Sequence, residues 1–332
     1  MVSNQWFDDL PEGEAGSGRR VRWGLVIHGG VGVIPREDMP PELEEEYLRT
    51  MEVSLRSGYE AMEGGGSAID AVVEAIRVME DSPIFNAGRG SNFTADGVVS
   101  MDASIMVGDT LEAGAVAGVA TVRYPILLAR AVMEGCPHVM LSGPGAETFA
   151  RERGLEMMEP DFFFTQRRWD ALQAAREREG RGDTVPNTLD LEAGRYSSGT
   201  VGAVALDPEG RLVAGTSTGG SANKKWGRIG DSPVVGAGTY AGSHCGVSCT
   251  GWGEYFIRHA VAHDIQARMA YLGLSLKEAA HQVIMEKLEA DRPGLGGIVA
   301  MDRDGHVEMC FNTQGMYRGR VDEEGRIRVA IY

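Results

Sequence analysis

The chain has 332 residues, 43% of them hydrophobic, and a formal charge of −16. That length can bury a sizeable core, in one large α/β domain or two smaller ones. The charge has the wrong sign for phosphate-led nucleic-acid binding, although a charged small molecule, which feels only its local pocket, stays open. Four cysteines (Cys136, Cys245, Cys249, Cys310) are too few for a disulfide scaffold and read as reduced thiols. The acidic start lacks the apolar core of a signal peptide, and no run approaches the roughly 18 apolar residues of a membrane span. The expectation is a cytoplasmic protein with no nucleic-acid or membrane partner.

Residues 1–20 read as a disordered leader, and VRWGLVIHGG as a short strand entering a glycine turn. Leu43, Tyr47, Met51, Leu55, Tyr59 and Met62 repeat at helical spacing across 41–63, and Gly64–Gly66 stop that helix. Ser67 and Asp70 form a capping-box-like start for a second helix ending near Met79. After the loop DSPIFNAGRGSNF come two strand-like runs, VVSMDASIMVG and AGAVAGVATV. Helices are expected at 144–153 and 166–179. Residues 180–199 have no period and form the longest linker; the RGD inside it reads as chance.

Beyond the linker the pattern turns to β, then helical, then β. Phe256, Ile257, Ala260, Val261 and Ile265 lie on one helical stripe across 254–271, and Ser275 with Glu278 opens a helix reaching about Leu288. GGIVAMDRDGHVEMCFN is a hairpin built like AVALDPEGRLVA. Sequential hairpins with helices in separate pairs favour a layered α+β sandwich over a doubly wound parallel sheet.

In that earlier hairpin, Asp207-Pro208-Glu209-Gly210 has the residues of a type I turn with a glycine bulge. Asp207 then faces Arg211, and counting back seven from each sets Thr200 opposite Thr218, with Cβ atoms about 5 Å apart on one face. This is either an ordinary cross-strand pair or chemistry. The abrupt junction of linker, Gly199 and strand favours chemistry. A threonine hydroxyl needs a base, and cleavage of Gly199–Thr200 would supply one as the threonine's own α-amine, which titrates near 8. Gly199, lacking Cβ, permits the close approach that attack on its carbonyl needs.

GTVGAVALDPEGRLVAGTSTGG, GRIGDSPVVGAGTYA and VSCTGWGE, with HGG at 28–30, FNAGRGSNFTADG at 85–97 and MDASIM at 101–106, resemble the N-terminal-nucleophile family of isoaspartyl peptidases and plant-type L-asparaginases. The likeness runs from about residue 22 to the end. It implies a four-layer αββα sandwich made as one precursor, cut into 1–199 and 200–332, that stays associated as one structural domain and dimerises. It implies hydrolysis of β-aspartyl dipeptides and L-asparagine, with Thr200 as nucleophile and Thr218 as its hydrogen-bonding support. By the same likeness Arg228 and Asp231 grip the α-carboxylate and α-amine of the aspartyl substrate, as a guanidinium and a carboxylate would. Thr250 and Gly251 provide the oxyanion donors, Gly253 belongs to the substrate loop, and Asn86 positions the nucleophile's surroundings. No catalytic cofactor is implied. A sodium ion is, held by backbone carbonyls of the loop at Met79, Glu80, Ser82, Phe85, Ala87 and Arg89. Trp252, inside the oxyanion motif, is expected to narrow the pocket and bear on the leaving group.

Three other constellations compete. GTSTG matches the serine-hydrolase elbow with Ser217 as nucleophile, but no helical stripe follows, and strand alternation turns Ser217 away from Thr216 and Thr218. GAGTYA matches a dinucleotide fingerprint without its helix. His259 and His263 have metal-compatible spacing without HExxH. A noncatalytic binding protein on the same scaffold remains if the chain never cuts itself.

Overall fold

A computed structural model describes residues 23–32, 35–181 and 199–332. The expected leader, the linker interior and the Gly182–Asp183 part of the RGD lie outside them.

Among the described residues twelve strands form two sheets. In chain order the elements are β1 (Gly24–Val31), α1 (Pro41–Glu63), α2 (Ala68–Asp81), β2 (Met101–Val107), β3 (Ala113–Val119), α3 (Pro125–Gly135), β4 (Met140–Ser142), α4 (Gly143–Glu152) and α5 (Gln166–Gly180). After the linker come β5 (Val201–Leu206), β6 (Leu212–Thr218), β7 (Thr239–Ala241), β8 (Cys245–Gly251), α6 (Gly253–His259), α7 (Val261–Leu272) and α8 (Leu276–His281). The chain ends with β9 (Gly296–Asp302), β10 (Val307–Phe311), β11 (Met316–Asp322) and β12 (Ile327–Ala330). The larger sheet has the order β12-β11-β1-β5-β6-β2-β3-β4 and the smaller β10-β9-β8-β7.

Three apolar clusters make four layers. Leu25, Ile27, Leu55, Val72, Ile76 and Ile126 fill the space between α1–α3 and the larger sheet. Val26, Val204, Leu206, Ala214, Val299 and Met301 fill the space between the sheets. Val247, Cys249, Val261, Ile265, Ala280 and Ile298 fill the space between the smaller sheet and α7–α8. Leu25 and Ile27 point to the helices and Val26 to the other sheet, which is why strands with both faces covered read as unbroken apolar runs. The fold is the expected αββα sandwich.

Both capping boxes form, at Ser67/Asp70 and Ser275/Glu278. The second helix runs on through a π-helical stretch, Gln282–Leu288. The single helix expected over 254–271 is broken: Ala260 takes a left-handed conformation (φ 47°), and Ile257 comes out of the stripe to 38% exposure. The break separates His259, bonded to Asp291, from His263, whose ring meets Tyr240. Among the described residues no cluster of three or more His, Cys, Asp or Glu could hold a metal.

Candidate active site

The β5–β6 hairpin has the register read from its turn, with Val201 opposite Ser217 and Leu206 opposite Leu212. One step beyond, Thr200 Oγ1 donates to Thr218 Oγ1 at 3.1 Å, both residues buried. Thr218 Oγ1 also accepts from the Gly220 amide at 3.0 Å, which fixes its orientation. The bond to Thr218 holds the Thr200 proton and leaves oxygen lone pairs for attack.

Successive carbonyls on either side of the Thr200 α-carbon are each held by a side chain. Asn86 Nδ2 donates to the Gly199 carbonyl at 2.6 Å and to the Gly220 carbonyl at 2.8 Å. Asn86 Oδ1 accepts from the Asn92 amide, so the amide group cannot turn over without losing all three bonds. A donor so close to the Gly199 carbonyl is placed where negative charge would gather if that carbonyl were attacked. On the other side His28 Nδ1 lies 2.9 Å from the Thr200 carbonyl and Nε2 lies 2.9 Å from Ser248 Oγ. Burial pushes the imidazole down to about 3, against the hydrogen bond to Thr200, so His28 is neutral, Nδ1 donating and Nε2 accepting. The β1 bulge after His28 brings Gly30 onto the Gly199–Thr200 bond. A Cβ there would lie 2.5 Å from Gly199 Cα, and its φ is +109°, so no other residue fits.

Thr250 is the next-to-last residue of β8, beside that bulge. Its Oγ1 accepts from the Val31 amide at 3.2 Å, which leaves its own proton to donate. Gly251 follows it in the strand. Gly253 packs against the next pair of groups: a Cβ there would meet Arg228 Nη2 at 2.8 Å and Asp231 Oδ1 at 3.0 Å. Arg228 makes a two-armed pair with Glu254, at 2.9 and 3.0 Å. Asp231 is buried, with Oδ2 lacking a partner among the described residues, and burial pushes its carboxyl up to about 7 against the pull of Arg228. Asp102 faces Thr218 across the β2–β6 pair, and its charge reaches both Arg228 and Asp231.

Thr200, Thr218, Asn86 and the Gly199 carbonyl therefore share direct contacts. Thr250 and Gly251 stand at the adjoining bulge, and Arg228, Asp231 and Gly253 form a second group linked through Asp102. Residues without an assigned role in the sequence reading are His28, Ser248, Asn92, Asp102 and Lys224. HGG, FNAGRGSNFTADG, MDASIM and VSCTGWGE contain four of them, but only the fold shows what they touch. Lys224 is buried, with Nζ on the Ser100 carbonyl at 2.5 Å.

Trp252 stands between Gly251 and Gly253. It lies at 6% exposure in the cluster under the smaller sheet, its ring edge-on to Tyr255 and under the Arg292 guanidinium. Its side chain also bonds Glu254, the carboxylate paired with Arg228, so the indole stands beside that group. Ser217 turns to the opposite face from Thr218, as alternation requires, and donates to Glu80 Oε1 at 2.6 Å. Burial pushes that carboxyl up to about 8. GAGTYA runs into β7, with no helix for a dinucleotide.

In the loop after α2, the carbonyls of Ser82, Pro83 and Phe85 converge beside Gly90, where a Cβ would clash with all three. The Met79 carbonyl accepts from the Ser82 amide and that of Ala87 from the Gly90 amide, while the Glu80 carbonyl lies against Gly88. Arg89 sets its guanidinium over Phe162. Converging backbone carbonyls suit a hard monovalent cation, whose hydration shell they can replace.

A family model described as asparaginase matches residues 21–331. The chain belongs to the asparaginase 2 family. Over 295 residues it is 50% identical to the isoaspartyl peptidase of Escherichia coli K12, covering 89% of this chain and 91% of that one. It is 48% identical over 300 residues to the isoaspartyl peptidase of Salmonella typhimurium, covering 89% and 93%. It is 42% identical over 296 residues to the plant-type L-asparaginase of Thermococcus kodakarensis, covering 88% and 94%.

Proposed function

We propose that the chain is an autoprocessed threonine hydrolase of β-aspartyl dipeptides and L-asparagine. The observation that carries the reading is the 3.1 Å contact between Thr200 and Thr218, with Asn86 on the carbonyl of the bond to be cut. Thr200 Oγ adds to the Gly199 carbon, Asn86 Nδ2 donates to the resulting oxyanion, and the C–N bond breaks to leave an ester as the hydroxyl proton passes to the Thr200 nitrogen. Water hydrolyses the ester, giving a Gly199 carboxylate and a free Thr200 amine.

That amine is the base for turnover, and near neutral pH a useful fraction of it is uncharged. It takes the Thr200 hydroxyl proton as the oxygen attacks the substrate's side-chain carbonyl. The Thr250 hydroxyl and the Gly251 amide receive the oxyanion, and the proton passes to the leaving amine. Water, activated by the same amine, then cleaves the acyl-enzyme to aspartate. Arg228 and Asp231 hold the aspartyl α-carboxylate and α-ammonium. Carbonyls of the 79–89 loop, those of Ser82 and Phe85 among them, would hold sodium, whose role is to stiffen the loop carrying Asn86. Four free thiols suit a reducing cytoplasm, and the processed units associate as a homodimer.

Intact mass of freshly purified protein tests the scheme. Two pieces beginning at Met1 and Thr200 are expected, and Thr200→Ala should abolish both cleavage and turnover. A single uncut chain that is fully active would overturn it, and loss of activity without loss of cleavage in Ser217→Ala would move the chemistry to that serine.

A further inference from the structure

Asp102 is fully buried, which is rare for an aspartate without a partner, and no step of the reaction above uses it. It is the second residue of β2 and stands directly opposite Thr218, whose other neighbour is Thr200. Thr200, Thr218 and Asp102 thus form one row across β5, β6 and β2. Ser104, two residues further along β2, bonds Thr239 of the smaller sheet, so by alternation the Asp102 side chain turns to the space between the sheets. Its Oδ1 accepts from the Gly118 amide at 2.8 Å, and its buried Oδ2 has no hydrogen-bond partner among the described residues.

Two cations stand around it. Lys224 Nζ donates to the carbonyl of Ser100, two residues before Asp102, and lies over Gly220, where a Cβ would come within 2.6 Å of it. Gly220 gives its amide to Thr218, so both contacts bring the buried ammonium to the Asp102 end of β2. The second cation is Arg228. Burial raises the Asp102 carboxyl, while Lys224, the Gly118 amide, Arg228 and the Gly230 amide favour its ionised form. Burial also lowers the Lys224 ammonium, and Arg228 adds to that effect against the pull of Asp102. Both cations belong to the segment 219–231, which leaves β6 after Thr218, passes through the fully exposed Trp226 and returns at Asp231. Two buried like charges on one loop repel unless they share a counter-ion.

We propose that Asp102 is the positioning residue of the substrate clamp: it draws Lys224 and Arg228, on the two arms of the 219–231 segment, to the Thr218 row and so sets Arg228 and Asp231 at a fixed reach from the nucleophile. It touches no substrate in this role. The role rests on the hydrolase reading above, and it makes binding of the aspartyl group depend on a charge outside the clamp.

Asp102→Asn keeps the side chain's shape and an acceptor for Gly118 and removes the charge. Self-cleavage should persist and kcat should stay within about threefold, while KM for L-asparagine and Kd for L-aspartate, measured by calorimetry, rise together by roughly tenfold. Lys224→Met should move the same two constants in the same direction, and the double variant should lose little beyond the larger single effect, because both changes break one arrangement. Unchanged KM and Kd in Asp102→Asn overturn the proposal. So does loss of cleavage, kcat and Tm with KM held, which marks a merely structural carboxylate. If Asp102→Asn does not fold, Lys224→Met decides by the same split between KM and kcat. Wild-type protein that neither binds L-aspartate nor hydrolyses L-asparagine refutes the hydrolase reading, and the clamp with it.

Discussion

Asp231 is asked to bind a cation from a position where water would not leave it charged. With its carboxyl pushed up to about 7, half of the empty protein holds it neutral at that pH. Only the ionised form attracts the substrate ammonium. As pH falls below about 7 the neutral form takes over, and KM should rise by up to roughly tenfold per unit. Steady-state KM for L-asparagine between pH 5.5 and 7.5 reads this directly. Asp231→Asn should bind weakly throughout and lose the slope; a wild-type KM flat across that range would contradict the assignment. The role of Asp231 was legible only through the likeness of GRIGDS to the family's motif. Its partnerless oxygen and raised pKa belong to the folded surroundings, above all to burial, and one chain of letters does not show them. Trp252 is similar: its place in CTGWGE was legible, but its bond to Glu254 and its packing beside Tyr255 and Phe256 are not.

The sheets are joined by a chain of hydroxyls as well as by apolar packing. From His28 on β1 it runs to Ser248 on β8, then to Thr216 on β6 (2.7 Å), Thr239 on β7 (2.6 Å) and Ser104 on β2 (2.8 Å). Buried polar chains of this kind are sensitive to any member that gains a charge. His28 is the titratable one. Its folded pKa of about 3 lies below the ordinary 6.5, so the unfolded chain binds the extra proton first. The stability it lends is complete above 6.5 and is lost as pH falls toward 3, on the order of several kcal/mol at the acid end. His28→Gln keeps hydrogen-bonding capacity without titrating. Its Tm should lie below wild type at pH 7, with the gap narrowing steadily toward pH 4; a constant gap would show that His28 does not titrate with unfolding. Pattern alone found the elements whose period is local, such as the capped α2 and the β5–β6 hairpin. It passed over α3, whose apolar residues face both helix and sheet and leave no clear stripe, and it missed the break at Ala260, a left-handed residue with no glycine to announce it.

Strand order shows why a cut in front of Thr200 need not undo the molecule. From edge to edge the larger sheet takes β12 and β11 from after the cut, β1 from before it, β5 and β6 from after, then β2, β3 and β4 from before. The cut precedes β5 and removes no ladder, while β1 is held on both sides by strands of the other piece and β6 has β2 as its outer neighbour. Such interleaving joins strands far apart in sequence, which no hairpin signal encodes. It also separates two refolding reactions. The uncut Thr200→Ala chain refolds as one molecule, so its rate and yield should be independent of protein concentration. The processed protein must bring two chains together first, at the cost of lost translational freedom. Its refolding from denaturant should slow as the protein is diluted, and its yield should fall roughly in proportion once association becomes limiting. Residues 200–332 alone present β5, β6 and β11 with open sides and should not reach a soluble, cooperatively folded state. Concentration-independent refolding of the separated pieces, or cooperative unfolding of 200–332 by itself, would show that the two pieces are independent domains and that the interleaved sheet does not hold them together.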